Sequence, residues 1–214
     1  SHASMLWRCL MHWVGGMGVI VLVVAILPLL GIGGRQLYKA EVLTPMKDSS
    51  LTPRIAETAK GLWMTYVLLT VACGLCLWWA GLEGWDVVIH AFSIVGLGGF
   101  SNKDASLGHF ANLNVEIVAI VFALLAGLSC AAHYLALTRR STRPYARDPE
   151  IPFYFAVLAF SIVMLTVYLL AQGVFTDVGE ALRYVAFHVV SISITDGLAT
   201  DNYTLWPMFA QIWI

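Results

Sequence analysis

Residues 86–100 read DVVIHAFSIVGLGGF, an apolar run that stops at a glycine-containing turn. As a helix, residues 86–95 cover only about 15 Å, half the hydrocarbon thickness of a bilayer. Residues 177–192 form a second such run before another glycine turn. We therefore predict two re-entrant half-helices, each of which enters a membrane and turns back.

The two runs belong to a repeat with an offset of 98 residues. Without a gap, this offset superimposes five identical pairs: His90 on His188, Ser93 on Ser191, Ile94 on Ile192, Gly99 on Gly197 and Leu107 on Leu205. Each copy consists of a span, a half-helix, a glycine turn and a span. Repeats of this kind build many transport folds. An even number of crossings separates the copies, so they are predicted to be parallel and to face a common centre.

The composition excludes an ordinary soluble enzyme. Of the 214 residues, 59% are hydrophobic and only 12% are charged, about half the charge of a typical soluble domain. With 12 Lys+Arg against 13 Asp+Glu, the net charge of −1 offers no basic field for a polyanion, so no nucleic-acid partner is expected. The fold class is predicted to be an all-α membrane protein with K+-channel-like repeats.

Five apolar segments are predicted to cross the membrane: residues 6–32, 61–80, 115–137, 152–171 and a last one that starts near residue 206. Two connections hold nine of the twelve basic residues: Arg35, Lys39, Lys47, Arg54 and Lys60 in the first, and Arg139, Arg140, Arg143 and Arg147 in the second. By the positive-inside rule these basic loops are cytoplasmic, and the half-helices enter from outside. The chain starts without Met and ends inside an apolar stretch, so we expect it to be part of a longer protein.

The glycine turns are the candidate functional site. Irregular backbone is tolerated at membrane depth only where protein or water satisfies its polar groups, so both turns are expected to line an aqueous path. Glycine adopts positive φ, which lets successive carbonyls point one way and replace the water shell of a cation. Each half-helix also ends at its turn, which directs the negative end of its dipole there. These features predict a cation filter formed by Leu97, Gly98, Gly99 and Phe100 together with Thr195, Asp196, Gly197 and Leu198.

Several residues keep two interpretations at this stage. Gly98 and Gly99 are either filter residues or helix-packing glycines. The Asp196 carboxylate either acts on the cation or holds the turn through local hydrogen bonds. His90 and His188 are either metal or proton-relay groups, or residues hydrogen-bonded to a neighbour, which we favour. Two further expectations concern charges: Glu116 reaches the outer headgroup region, and Arg183 pairs with Glu180 on one helix face.

Several ordered motifs resemble one known family: GGMGVI at 15–20, LP at 27–28, LTPRIAETAK at 51–60, GGFS at 98–101 and DAS at 104–106. They are similar to the membrane subunits of bacterial Trk-type potassium uptake systems, the TrkH family of the Trk/Ktr/HKT superfamily. The resemblance runs over nearly the whole chain.

The resemblance implies four helix–pore loop–helix repeats around one pore, a homodimer in the bacterial inner membrane, and a cytoplasmic nucleotide-binding regulatory subunit similar to TrkA. Potassium is the transported ion, with no organic cofactor. It is held by the backbone carbonyls of Leu97, Gly98, Thr195 and Asp196. The implied segments are the last helix of repeat one (1–34), a cytoplasmic connection (35–60), repeat two (61–137), a cytoplasmic loop (138–150) and repeat three, truncated in its second helix (151–214).

The implied function is potassium uptake without catalytic residues, with this chain as a partial subunit. Asp196 and Leu198 depart from the Thr-Gly-Phe or Thr-Gly-Tyr pattern of many relatives. The alternative is therefore a less selective K+/Na+ pathway or an ion-coupled symporter of the same superfamily. A remote alternative is an intramembrane hydrolase, for which the sequence offers no serine nucleophile elbow, no HExxH motif and no paired intramembrane aspartates.

Overall fold

A computed structural model describes residues 2–29 and 51–214 of the chain. Every regular element in these ranges is helical, as predicted. The α-helices are α1 (His2–Leu29), α2 (Leu51–Trp79), α3 (Gly84–Gly96), α4 (Leu113–Ala126), α5 (Cys130–Arg139), α6 (Arg143–Arg147), α7 (Glu150–Ala171), α8 (Val178–Ser193) and α9 (Met208–Trp213). Two 3₁₀ turns, Ser106–Phe110 and Tyr203–Leu205, follow the glycine turns.

Two helices match the predicted spans in length and composition. They are Glu57–Trp79, the apolar part of α2, and Glu150–Ala171, the whole of α7. With 23 and 22 residues, both are about as long as a hydrocarbon core requires. The predicted segments at 61–80 and 152–171 are thus helices of the length and apolarity that a span requires. The predicted span at 6–32 corresponds to α1, except for residues 30–32, which lie outside the described residues together with the basic residues Arg35, Lys39 and Lys47.

The predicted span at 115–137 consists of two helices that together are long and apolar enough to cross, but they are sharply bent. Helices α4 and α5 meet there at 92°, with the break at residues 127–129. His133 stabilises the break, because its Nε2 donates to the Leu125 carbonyl at 2.7 Å and its Nδ1 accepts from the Tyr145 hydroxyl at 2.6 Å. Burial raises the pKa of the Tyr145 hydroxyl above its ordinary value. The segment is apolar enough to span, but Gly127 and Ser129 do not favour a continuous helix.

The two half-helices are present as short helices. The 13 residues of α3 and 16 of α8 match the predicted runs at 86–95 and 177–192 within two residues at each end. Helix α8 begins where its sequence predicts, because the Asp177 side chain accepts from the Glu180 amide at 2.8 Å and caps the first turn.

The core consists of two apolar clusters joined through α4. One lies between α2, α3 and α4 and includes Leu77, Ile94 and Leu107; the other lies between α7 and α8 and includes Leu165 and Val185. Helix α4 packs on α2 and α3 and also on α8. This contact holds the two glycine turns beside each other.

Candidate ion filter

Both half-helices end in the same backbone motif. In α3, the Gly98 amide donates to Ser93 O at 2.8 Å and the Leu97 amide to Ile94 O at 3.3 Å. In α8, the Asp196 amide donates to Ser191 O at 2.8 Å and the Thr195 amide to Ile192 O at 3.0 Å. This pair of bonds is a Schellman motif, which reverses the chain at a helix end.

The turns also share an unusual sequence of backbone conformations. Leu97 and Gly99 have φ of 54° and 65°, and Thr195 and Gly197 have φ of 64° and 84°. The residue between each pair is not left-handed. A left-handed β-branched residue such as Thr195 is rare and strained, and strain of this kind concentrates at functional sites. The same two left-handed positions therefore recur at repeat-related residues of both turns.

The two turns touch each other. A Cβ placed on Gly99 would overlap the Asp196 carbonyl oxygen, and one on Gly197 would lie 3.9 Å from the Gly99 Cα. The Gly99 amide donates to Asp196 Oδ1 at 3.2 Å. The structure therefore brings together Gly99, Asp196 and Gly197 of the eight predicted site residues, and the glycine at 99 is required by space as well as by φ.

Helix α1 closes the other side of the first turn. His12 Nε2 donates to the Gly96 carbonyl at 3.0 Å, and the Arg8 guanidinium lies 5.2 Å from the centre of the Phe100 ring. A Cβ on Gly98 would come within 2.8 Å of the His12 ring. Gly98 thus accommodates α1, a packing role that the glycine pattern alone did not separate from a filter role.

The second turn is held from behind by side chains of α8. Ser191 Oγ donates to the Leu198 carbonyl at 2.6 Å. The repeat-related Ser93 Oγ is buried and has no partner among the described residues. Leu198 itself is 1% exposed, so its side chain packs into the core.

The two repeat-related histidines are bonded to their surroundings, as favoured above. His90 bridges Asp86 O at 2.7 Å and Ser101 Oγ at 3.0 Å; His188 bridges Tyr184 O at 2.8 Å and Asp201 O at 3.1 Å. Within residues 2–29 and 51–214, no group of three or more His, Cys, Asp or Glu side chains is arranged to hold a metal ion. Each histidine connects its half-helix to the chain that follows the turn.

The expectations for Glu116 and Arg183 are wrong. Glu116 is 2% exposed in the first turn of α4, and it accepts two hydrogen bonds of 2.7 Å from Arg183 Nε and Nη2 on α8. Arg183 therefore pairs across the repeats and not with Glu180. Sequence reasoning missed the pair because 67 positions separate its members; the available signal was an acid within an apolar segment.

A second contact between the repeats lies just after the turns. The Gly108 amide donates to Ala199 O, and the Ala199 amide donates to Ser106 Oγ, both at 3.2 Å. A Cβ on Gly108 would lie 2.5 Å from the Thr200 carbonyl oxygen. Of these residues only Ser106 was singled out from the sequence, as part of the DAS motif, and the contact itself was not predicted.

Comparison with known proteins identifies the family. A family model described as "Cation transport protein", TrkH, matches residues 1–213. The chain belongs to the TrkH family. It is 43% identical over 211 residues to the Trk system potassium uptake protein TrkH of Escherichia coli K12, covering 99% of this chain and 44% of that protein. It is 40% identical over 212 residues to the protein of the same name from Vibrio parahaemolyticus, covering 98% and 44%.

A solved structure agrees with this assignment. The crystal structure of the potassium transporter TrkH from V. parahaemolyticus superimposes with a TM-score of 0.84 at 36% identity, over 99% of this chain and 42% of that chain. The chain thus spans less than half the length of the relatives it matches. It is a membrane protein of a transporter family, and the resemblance inferred from the motifs is confirmed.

Proposed function

We propose that the complete protein containing this chain takes up potassium across the bacterial inner membrane, and that the two glycine turns are part of its selectivity filter. The observation that carries the proposal is the pair of repeat-related turns with the same alternating left-handed backbone, in contact with each other through Gly99 and Asp196. The names of the relatives, potassium uptake proteins, give the ion.

The ion ligands in this proposal are the backbone carbonyls of Leu97, Gly98, Thr195 and Asp196, with Gly99, Phe100, Gly197 and Leu198 completing the two turns. Carbonyl oxygens replace the hydration shell of K+, and binding at several weak sites permits release. The C-termini of α3 and α8 point their negative dipole ends at the turns, which adds to the attraction for a cation. No covalent step is needed, so the protein is proposed to be a transporter without enzymatic activity or an organic cofactor.

The proposal extends to the organisation of the protein. Residues 1–34 end repeat one, 35–60 are a cytoplasmic connection, 61–137 form repeat two, 138–150 a cytoplasmic loop, and 151–214 part of repeat three. Two filter turns leave a fourfold pore half built, so repeats one and four supply the others. We also propose a homodimer, a TrkA-like nucleotide-binding partner on the cytoplasmic side, and half-helices that enter from outside.

The test is transport by the complete gene product that contains this chain, in a bacterial strain deleted for its own potassium uptake systems. We expect growth at limiting K+ and Rb+ uptake that excess Na+ does not inhibit. If Na+ inhibits Rb+ uptake as strongly as K+ does, the less selective K+/Na+ pathway is favoured. Dependence of uptake on a proton or sodium gradient would favour a symporter. No restored growth and no Rb+ uptake, with the protein present in the membrane, would contradict the proposal.

The filter assignment has a matched pair of variants. Gly99→Ala is expected to lower Rb+ uptake at least tenfold or to raise the Na+:Rb+ ratio, because its Cβ would overlap the Asp196 carbonyl. Gly74→Ala is the control, since its Cβ would make ordinary contacts of 3.6 and 3.7 Å within the helix packing. Unchanged transport by Gly99→Ala would remove Gly99 from the filter.

A further inference from the structure

Position 196 is where the two glycine turns differ in charge. The repeat-related residue in the first turn is Gly98, so only the second turn carries a carboxylate here. The Asp196 side chain is 3% exposed. Among the described residues, its hydrogen bond is to the amide of Gly99 in the other turn, at 3.2 Å. The side chain therefore acts across the repeats, an arrangement that neither interpretation from the sequence included.

The surroundings of Asp196 leave few other partners. It borders a crevice between α4 and α8 that is otherwise lined by Ala119, Ile120, Ala123, Phe187, Val190 and Ser191. Burying a carboxylate among apolar side chains is costly unless donors satisfy it. The Gly99 amide is such a donor, so the position of Asp196 and the orientation of the Gly99 amide depend on each other.

The orientation of the Gly99 amide also determines that of the Gly98 carbonyl, a predicted ion ligand. The bond between Gly98 and Gly99 is trans, and in a planar trans peptide the N–H and the C=O point in opposite directions. Because the Gly99 N–H points at Asp196 Oδ1, the Gly98 carbonyl points away from the Asp196 carboxylate. Rotating this peptide to redirect the carbonyl would break the hydrogen bond.

We propose that Asp196 is a positioning residue for selectivity: its carboxylate, in the turn of repeat three, fixes the peptide between Gly98 and Gly99 in the turn of repeat two. It thereby holds the Gly98 carbonyl in the orientation in which it binds the ion. The inference rests on the proposed function, and it assigns the side chain of Asp196 to filter geometry and not to direct attraction of the cation.

Two substitutions separate these roles. Asp196→Asn removes the charge but keeps a side-chain oxygen that can accept from Gly99, whereas Asp196→Ala removes the acceptor as well. The measurement is Rb+ uptake by the complete gene product, with KM, maximal rate and the Na+:Rb+ ratio determined for each variant. Glu83→Gln is the charge control, because Glu83 is exposed ahead of α3.

We expect Asp196→Asn to keep the wild-type Na+:Rb+ ratio within about twofold and Asp196→Ala to raise it about tenfold, the size of effect that one hydrogen bond supports. Equal changes in both variants would overturn the inference in favour of a charge effect. Wild-type ratios in both variants would also overturn it, because neither the charge nor the acceptor would then matter. If Asp196→Ala does not accumulate in the membrane, Asp196→Gly, which copies the residue of repeat two, takes its place. Wild-type protein without Rb+ uptake would instead contradict the proposed function itself.

Discussion

At the scale of single residues, the unusual feature is a left-handed backbone at positions without glycine. Thr195 has φ of 64° and an exposed side chain, so packing within the described residues does not offset its backbone strain. A non-glycine residue in this region costs roughly 1–2 kcal/mol. The Schellman bonds of α8, and the contact of the adjacent Asp196 with Gly99, hold it there.

We therefore predict that Thr195→Gly leaves the thermal stability of the purified protein unchanged or slightly raised, because relief of strain offsets the entropy that glycine adds to the unfolded chain. Thr204→Gly, at an exposed threonine without positive φ, is expected to cost about 1 kcal/mol. Stability is measured as the temperature at which the detergent-solubilised protein loses its monodisperse peak. A larger loss of thermal stability for Thr195→Gly than for Thr204→Gly would contradict the claim that the backbone of Thr195 is strained.

At the scale of single residues, the sequence predicts those features that the residue type itself indicates. Gly99 and Gly197 were predictable because glycine favours positive φ, and the bonded histidines because no carboxylates cluster with them. The positive φ of Leu97 and Thr195 was not predictable, because a Schellman motif usually has glycine at that position. The partner of Asp196 lies 97 positions away, so no local pattern could indicate it.

At the scale of elements, α4 and α8 are joined by a charge pair inside an apolar interface. The Glu116 side chain is 3% exposed and the Arg183 side chain 31%. The positions related to these residues by the repeat are Ile214 and Trp85, so the pair occurs once. A single asymmetric ion pair of this kind defines which faces of two helices meet.

We predict that Glu116→Gln or Arg183→Met alone lowers stability by about 2–3 kcal/mol, below the full cost for a completely buried pair because Arg183 remains partly exposed. The double variant Glu116→Leu with Arg183→Met is expected to recover most of this loss, since no unpaired charge remains. Lys103→Met, which breaks the more exposed pair with Asp86, should cost at most about 1 kcal/mol. A double variant as unstable as the sum of the single ones would show that the pair is not coupled.

Elements were predictable as far as length and apolarity determine them. The half-helices and the spans of α2 and α7 follow from runs too short or long enough for a bilayer. The 92° break between α4 and α5 was not predicted, because Gly127 and Ser129 only weaken a helix and the contacts that stabilise the break come from His133 and Tyr145, beyond it. Composition sets whether a segment can be buried in lipid, but tertiary contacts set whether it is straight.

At the scale of the whole molecule, the polar contacts between the repeats within the described residues lie on the side of the turns. The bonds of Gly99 to Asp196, of Gly108 to Ala199 and of Arg183 to Glu116 join the half-helix regions, whereas the basic residues Arg139 and Arg140 lie at the far end of α5. If the half-helices enter from outside, the joined turns lie toward the outer surface and Arg139 and Arg140 lie toward the cytoplasm. The charge distribution predicts this orientation.

The orientation is testable with single cysteines in the complete gene product after Cys9, Cys73, Cys76 and Cys130 are replaced by alanine. We predict that Glu83→Cys, next to α3, reacts with a membrane-impermeant maleimide on spheroplasts, and that Arg140→Cys reacts only after the membrane is permeabilised. Both side chains are exposed, so accessibility depends on the side of the membrane and not on burial. The reverse pattern would mean that the protein has the opposite orientation in the membrane, with the filter at the cytoplasmic surface. Labelling of both residues before permeabilisation would mean that α4 and α5 together do not cross the membrane.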